Sequence, residues 1–133
     1  MSDSSLRLAS DPTSGLLRIG LLLAGLTGAT GVVSLALSAH SAASSLLETA
    51  AQMLLFHAPV FLGLGLLAQA RRVLLLPVCF LLLAAGLSLF CGDLFMRAFA
   101  GQRLFPMSAP TGGMLVILSW LTLAIGALRV RAK

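Results

Sequence analysis

Five ionisable side chains could do chemistry within an otherwise apolar chain: His40, Glu48, His57, Asp93 and Arg97. An imidazole can carry a proton or ligate a metal, and a carboxylate can accept a proton or hold a cation. Spacing limits what they do together. Glu48 and His57 lie nine residues apart in one helical run, so they point to opposite sides, with His57 about 13 Å deeper. Asp93 and Arg97 are four apart, acid before base, which favours an ion pair. His57 and Asp93 fall at compatible depths on separate runs. An ionisable group within a membrane span usually faces the bundle interior and a partner. The expectation is therefore that His57 contacts Asp93, or a backbone carbonyl, as a structural polar clamp. The sharper reading makes the pair a proton or ligand site.

Other chemistry is poorly supported. His40 sits at a helix end and His57 well inside a span, so they do not face one another across a haem plane. Cys79 and Cys91 are twelve residues apart in one run, roughly 18 Å along a helix, which is too far for a disulfide between them. Both read as small packing residues. No nucleophile–base–acid set, phosphate loop or metal-ligand spacing appears. The expectation is a protein without catalytic, cofactor or metal residues and not an enzyme; if a ligand is held, a lipid or quinone is the class that fits.

These residues are embedded in a chain made for lipid. Its 133 residues allow one domain; 59% are hydrophobic, only 10% are charged, and the mean hydropathy is +1.04. A water-soluble domain of this size needs more charge on its surface. The net charge of +5 comes from arginines and one lysine scattered at run ends, unlike the clustered basic face of a nucleic-acid binder.

Residues 1–15 read as a polar cytoplasmic tail, and residues 16–133 as a single transmembrane domain. Its spans are expected at about 16–38, 46–69, 73–99 and 110–128. The first run is long enough to cross a hydrocarbon core of about 30 Å, which favours a span over a signal peptide. Gly20, Ala24 and Gly28 recur every fourth residue in span one, and Ala84, Ser88 and Gly92 do so in span three. Small residues at that spacing let helices approach closely in lipid. Met53, His57 and Phe61 share a face of span two, where Pro59 is a candidate kink. Arg71-Arg72 forms a tight charged hinge, and Pro77 falls early in span three. Pro110 suits the first turn of span four, with Thr111 at a cap-like position.

Short links make sequential helices antiparallel neighbours, so the fold class expected is an all-α, up-down-up-down four-helix bundle. Arg7, Arg18, Arg71, Arg72, Arg129, Arg131 and Lys133 then share one side, against Arg97 and Arg103 on the other. The positive-inside rule places both termini in the cytoplasm. His40, Glu48, His57, Asp93, Arg97 and Thr111 gather in the outward half.

The motifs resemble the domain of unknown function 423 family, the YgdD-like small membrane proteins, which include animal transmembrane protein 256-like members. That pattern runs Gly, then Leu-Phe-Ser-Gly-Ser-Leu-Tyr, a link, Thr-Pro-x-Gly-Gly and a later Trp. Gly86, Leu89, Phe90, Gly92, Leu94, Pro110, Gly112, Gly113 and Trp120 match it. Ala39 and His40 resemble its helix-one ending, and Glu48, Thr49, Phe56 and His57 its helix-two stretch. Cys91 and Asp93 stand in place of the serines, Phe95 in place of the tyrosine, and Leu35 and Ser38 where glycines are usual. The resemblance covers about Gly20 to Arg131. It implies four helices and a bacterial inner-membrane address, and it implies no activity.

Two functions compete on this reading. One is a structural or accessory subunit packed against a larger membrane complex, in contact with membrane lipids and not with nucleic acid. The other is a lipid-, quinone- or small-molecule-binding protein, with proton handling as its sharper form, that uses His57 and Asp93.

Overall fold

The computed structural model describes residues 13–132. Most of the expected polar tail, residues 1–12, lies outside them. Within them the chain forms four helices long and apolar enough to cross a membrane: α1 (Gly15–Ser38), α2 (Ser44–Ala70), α3 (Leu76–Ala100) and α4 (Ser108–Ala127). Even α4, with 20 residues, reaches about 30 Å, the thickness of the hydrocarbon core.

The helix ends follow local chemistry. Ser14 caps α1, its hydroxyl accepting the Leu17 N–H at 3.1 Å. Its own N–H donates to Gln69 Oε1 at 2.8 Å, fastening the start of α1 to the end of α2. Pro59 lies inside α2 with its ring on the outer face, and the helix continues past it. α3 ends at Gly101, whose φ of 68° is the left-handed conformation glycine adopts freely.

Two boundaries differ from expectation. α3 starts at Leu76 instead of Val73, with Pro77 in its first turn, where no N–H is needed. The preceding Arg71-Arg72 is not a bare hinge. It forms a two-residue strand, β1 (Arg71–Arg72), paired antiparallel with β2 (Arg131–Ala132) beyond α4. α4 starts at Ser108, so Pro110 does occupy its first turn, while Thr111 is an exposed helical residue and not a cap. The residue before the helix, Met107, has a φ of 68°, a conformation side chains rarely adopt.

Packing partners run in opposite order along successive helices. On α1 and α2, Gly20 lies against Gly65 and Gly31 against Leu55. On α2 and α3, Cys91 meets Ala50 and Phe61 meets Phe80. On α3 and α4, Cys79 meets Ser119 and Gly86 meets Gly112. Each helix is therefore antiparallel to the one before it. The closest associations are α1 with α2 and α3 with α4. The buried core lies mainly between α2 and α3, around Leu54, Phe61, Leu64, Phe80, Leu83 and Leu87.

Glycine makes two of these approaches feasible. A Cβ on Gly20 would sit 2.7 Å from the Phe61 carbonyl oxygen and 3.0 Å from Gly65 Cα. On Gly112 it would sit 2.5 Å from Phe90 N and 2.7 Å from the Gly86 carbonyl oxygen. Backbone cannot yield as a side chain can, so these helices touch because no side chain intervenes. Of the small residues singled out by spacing, Gly20, Ala24 and Gly28 line the α2-facing side of α1. Ala84, Ser88 and Gly92 do not form the α3–α4 contact; Gly86 does, and Ser88 is exposed.

Candidate functional site: two buried polar knots

His57 and Asp93 are both buried, at 7% and 0% exposure, yet they do not bond to each other. Each turns to a different partner. The expected His57–Asp93 pairing is thus corrected: the Ala50–Cys91 and Phe61–Phe80 contacts set His57 level with about Ala84 of α3, more than two turns from Asp93, so the two lie at different depths.

The first knot is centred on His57. Its Nδ1 lies 2.7 Å from the Met53 carbonyl oxygen one turn back, the backbone alternative raised by the sequence. A carbonyl only accepts, so Nδ1 carries the hydrogen and donates it. Nε2 then holds a lone pair and accepts from Trp120 Nε1–H at 3.3 Å. Only the neutral Nδ1–H tautomer satisfies both bonds. The rings meet at a centroid distance of 6.0 Å and an interplanar angle of 59°. The contact joins α2 to α4, which are not consecutive in the chain. Its sequence signal was depth: His57 lies thirteen residues past the start of α2 and Trp120 twelve past the start of α4. These helices run in the same direction, so the two side chains fall at one level.

The second knot is centred on Asp93, in the last third of α3. Its Oδ1 accepts the Leu104 N–H at 2.9 Å and the buried Ser108 hydroxyl at 2.6 Å. Oδ2 is buried with no hydrogen-bond partner. One oxygen thus ties the end of α3 to the α3–α4 link and to the first residue of α4. That helix N-terminus is also where a negative charge is favoured by the helix dipole. No ion pair joins Asp93 to Arg97, because the carboxylate faces the link and α4 instead. Ser108 had no signal beyond being a hydroxyl near a helix start.

The other ionisable candidates stay outside these knots. Glu48 is exposed in the first turns of α2, His40 is exposed in the α1–α2 link, and Arg97 is half-buried near the end of α3. Of the motif residues, Gly112 makes the tight crossing, Gly113 packs near the Phe90 ring, Pro110 sits in the first turn of α4, and Trp120 bonds His57.

The cysteines do more than fill space. Ser119 Oγ donates to the Cys79 carbonyl at 2.9 Å, and Cys79 Sγ lies 3.4 Å from the Ser119 carbonyl oxygen. Cys91 Sγ reaches the Ala50 carbonyl on α2 at 3.8 Å, a weaker contact. Both thiols are free and buried.

This arrangement defines a class: a small polytopic membrane protein whose interior polar groups fasten one helix to the next. The comparisons agree. Residues 24–113 match the family described as Protein of unknown function (DUF423). The chain is also similar to the UPF0382 inner membrane protein YgdD of Escherichia coli strain K12, at 28% identity over 123 residues, covering 87% of this chain and 94% of that protein. The YgdD protein of Shigella flexneri matches at the same identity and coverage. No solved structure matches. The chain belongs to the DUF423 family and is a small integral protein of the bacterial inner membrane.

Proposed function

We propose that this protein is a structural, accessory subunit that packs against a larger membrane protein complex. The observation that carries this reading is the position of the Ala84–Ser88–Gly92 ridge. It lines an open groove of about 360 Å³ between α1 and α3, together with Thr27 and Thr30 of α1 and Phe61 of α2. A ridge of small residues lets a helix approach closely in lipid, whereas lipid tails need no such ridge. The occupant proposed is a transmembrane helix of another protein.

The rival reading places a lipid, quinone or proton at His57 and Asp93. It has less support. Both His57 nitrogens are engaged within the bundle, and neither residue lines this groove. The proposal assigns the protein no catalytic step. It places both termini in the cytoplasm, on the excess of arginine at that end.

The test is site-specific photocrosslinking in membranes from position 88, with position 81 on the exposed outer face of α3 as control, followed by mass spectrometry of the adducts. A stoichiometric protein adduct from position 88 and none from position 81 is expected. Adducts only with lipid or quinone, or equal yields from both positions, would overturn the reading.

A further inference from the structure

At the end of the bundle opposite Asp93, a cavity of about 480 Å³ opens where α1 begins, α2 and α4 end and α3 begins. Four arginines line it: Arg71, Arg72, Arg129 and Arg131. The β1–β2 ladder brings them there, setting Arg72 directly opposite Arg131 and Arg71 opposite Ala132. Like charges facing each other across a ladder repel. Among the described residues the acidic side chains are Glu48 and Asp93, both at the other end, so neither of them offsets this charge. Arg71 turns one Nη towards the Ala70 carbonyl at 3.4 Å. The rest of the wall is largely apolar, including Leu16, Val73, Leu74 and Pro77.

We propose that this cavity binds the headgroup of an anionic phospholipid, independently of the accessory role. Guanidinium groups pair with phosphate oxygens through two parallel N–H donors, and the planar fork suits that geometry. A phosphate between Arg72 and Arg131 replaces their repulsion with two attractions. The apolar wall continues towards the membrane core, so it accommodates the start of an acyl chain. A free phosphate would use the arginines alone and gain nothing from Leu16 or Leu74. The cavity volume lies within the range usual for small-ligand sites. A phospholipid also brings its own high local concentration, since this end of the bundle lies at the leaflet surface.

The experiment is native mass spectrometry of the full chain released from detergent containing equal amounts of phosphatidylglycerol and phosphatidylcholine. Wild type should retain phosphatidylglycerol in preference by roughly tenfold, since each arginine at an anionic membrane surface contributes measurably. The R72Q/R131Q double variant should lose most of that preference, and R103Q, altered at the opposite end, should keep it. Helical circular dichroism equal to wild type verifies that the variants are folded. If the double variant misfolds, R129Q, which leaves the ladder intact, is read in its place and should lower the preference several-fold. Three results would overturn the proposal: no headgroup preference in wild type, equal loss in R103Q, or displacement of the lipid by millimolar inorganic phosphate. A preference that appears only after Asp3 and Asp11 are changed to Asn would do so too, by showing that the chain's own carboxylates fill the site.

Discussion

Trp120 donates its indole N–H to His57 Nε2 across 3.3 Å, linking α4 to α2 at one depth in the bundle. The same imidazole gives its Nδ1–H to the Met53 carbonyl at 2.7 Å. The histidine is thus saturated while neutral. Trp120 is the chain's one tryptophan, so its fluorescence reports on the indole's surroundings. H57F removes the acceptor, and the emission maximum is expected to shift from that of wild type. Emission unchanged in H57F would show that the contact does not form.

Asp93 should matter as an acceptor. D93A strands the Leu104 N–H and the buried Ser108 hydroxyl, with an expected loss of about 1–3 kcal/mol. D93N keeps an acceptor oxygen and should cost less. Because Asp93 and Ser108 share one bond, D93A and S108A should be less than additive when combined. Unfolding in detergent measures the energies, and hydrogen exchange at the Leu104 amide should speed up in D93A. Full additivity would mean the bond does not form.

Gly86 and Gly112 should tolerate no side chain. An alanine Cβ at either meets backbone atoms of the facing helix within 2.8 Å, so G86A or G112A must push α3 and α4 apart, at a cost of about 1–3 kcal/mol. Gly25 and Gly63 have nothing within 4 Å of an added Cβ. G25A and G63A should therefore be neutral or gain up to about 1 kcal/mol from helix propensity. Thermal stability of the four variants in one detergent distinguishes these pairs, and equal effects would contradict the close crossing.

Cys79 and Cys91 are both buried, and thiol reagents need access. A maleimide should label neither in the folded protein and both after denaturation. S119A removes the donor to the Cys79 carbonyl and should destabilise by about 1 kcal/mol. Rapid labelling of folded wild type would show that the α3–α4 seam opens readily.

The apolar runs alone determined that this is a four-span helical membrane protein, because crossing a hydrocarbon core requires about 20 apolar residues and leaves the backbone little choice but helix. Pro110 marked a first turn because its missing N–H is harmless there; Pro77 occupies one for the same reason, although the apolar run alone placed the start of that span at Val73. The positions of His57 and of Asp93 along their own helices were also legible, since rise per residue is constant. Their partners were not. A count along one helix fixes neither its register nor its rotation against its neighbours, and the Ala50–Cys91 and Phe61–Phe80 contacts between α2 and α3 set His57 and Asp93 at different levels. The hydropathy of α3 is nearly uniform around its circumference, so nothing in its pattern distinguished Gly86, which faces α4, from Ser88, which faces the groove. The Arg72–Arg131 pairing was hidden for another reason. It joins residues at the far ends of two helices, and only the closed antiparallel bundle brings those ends together.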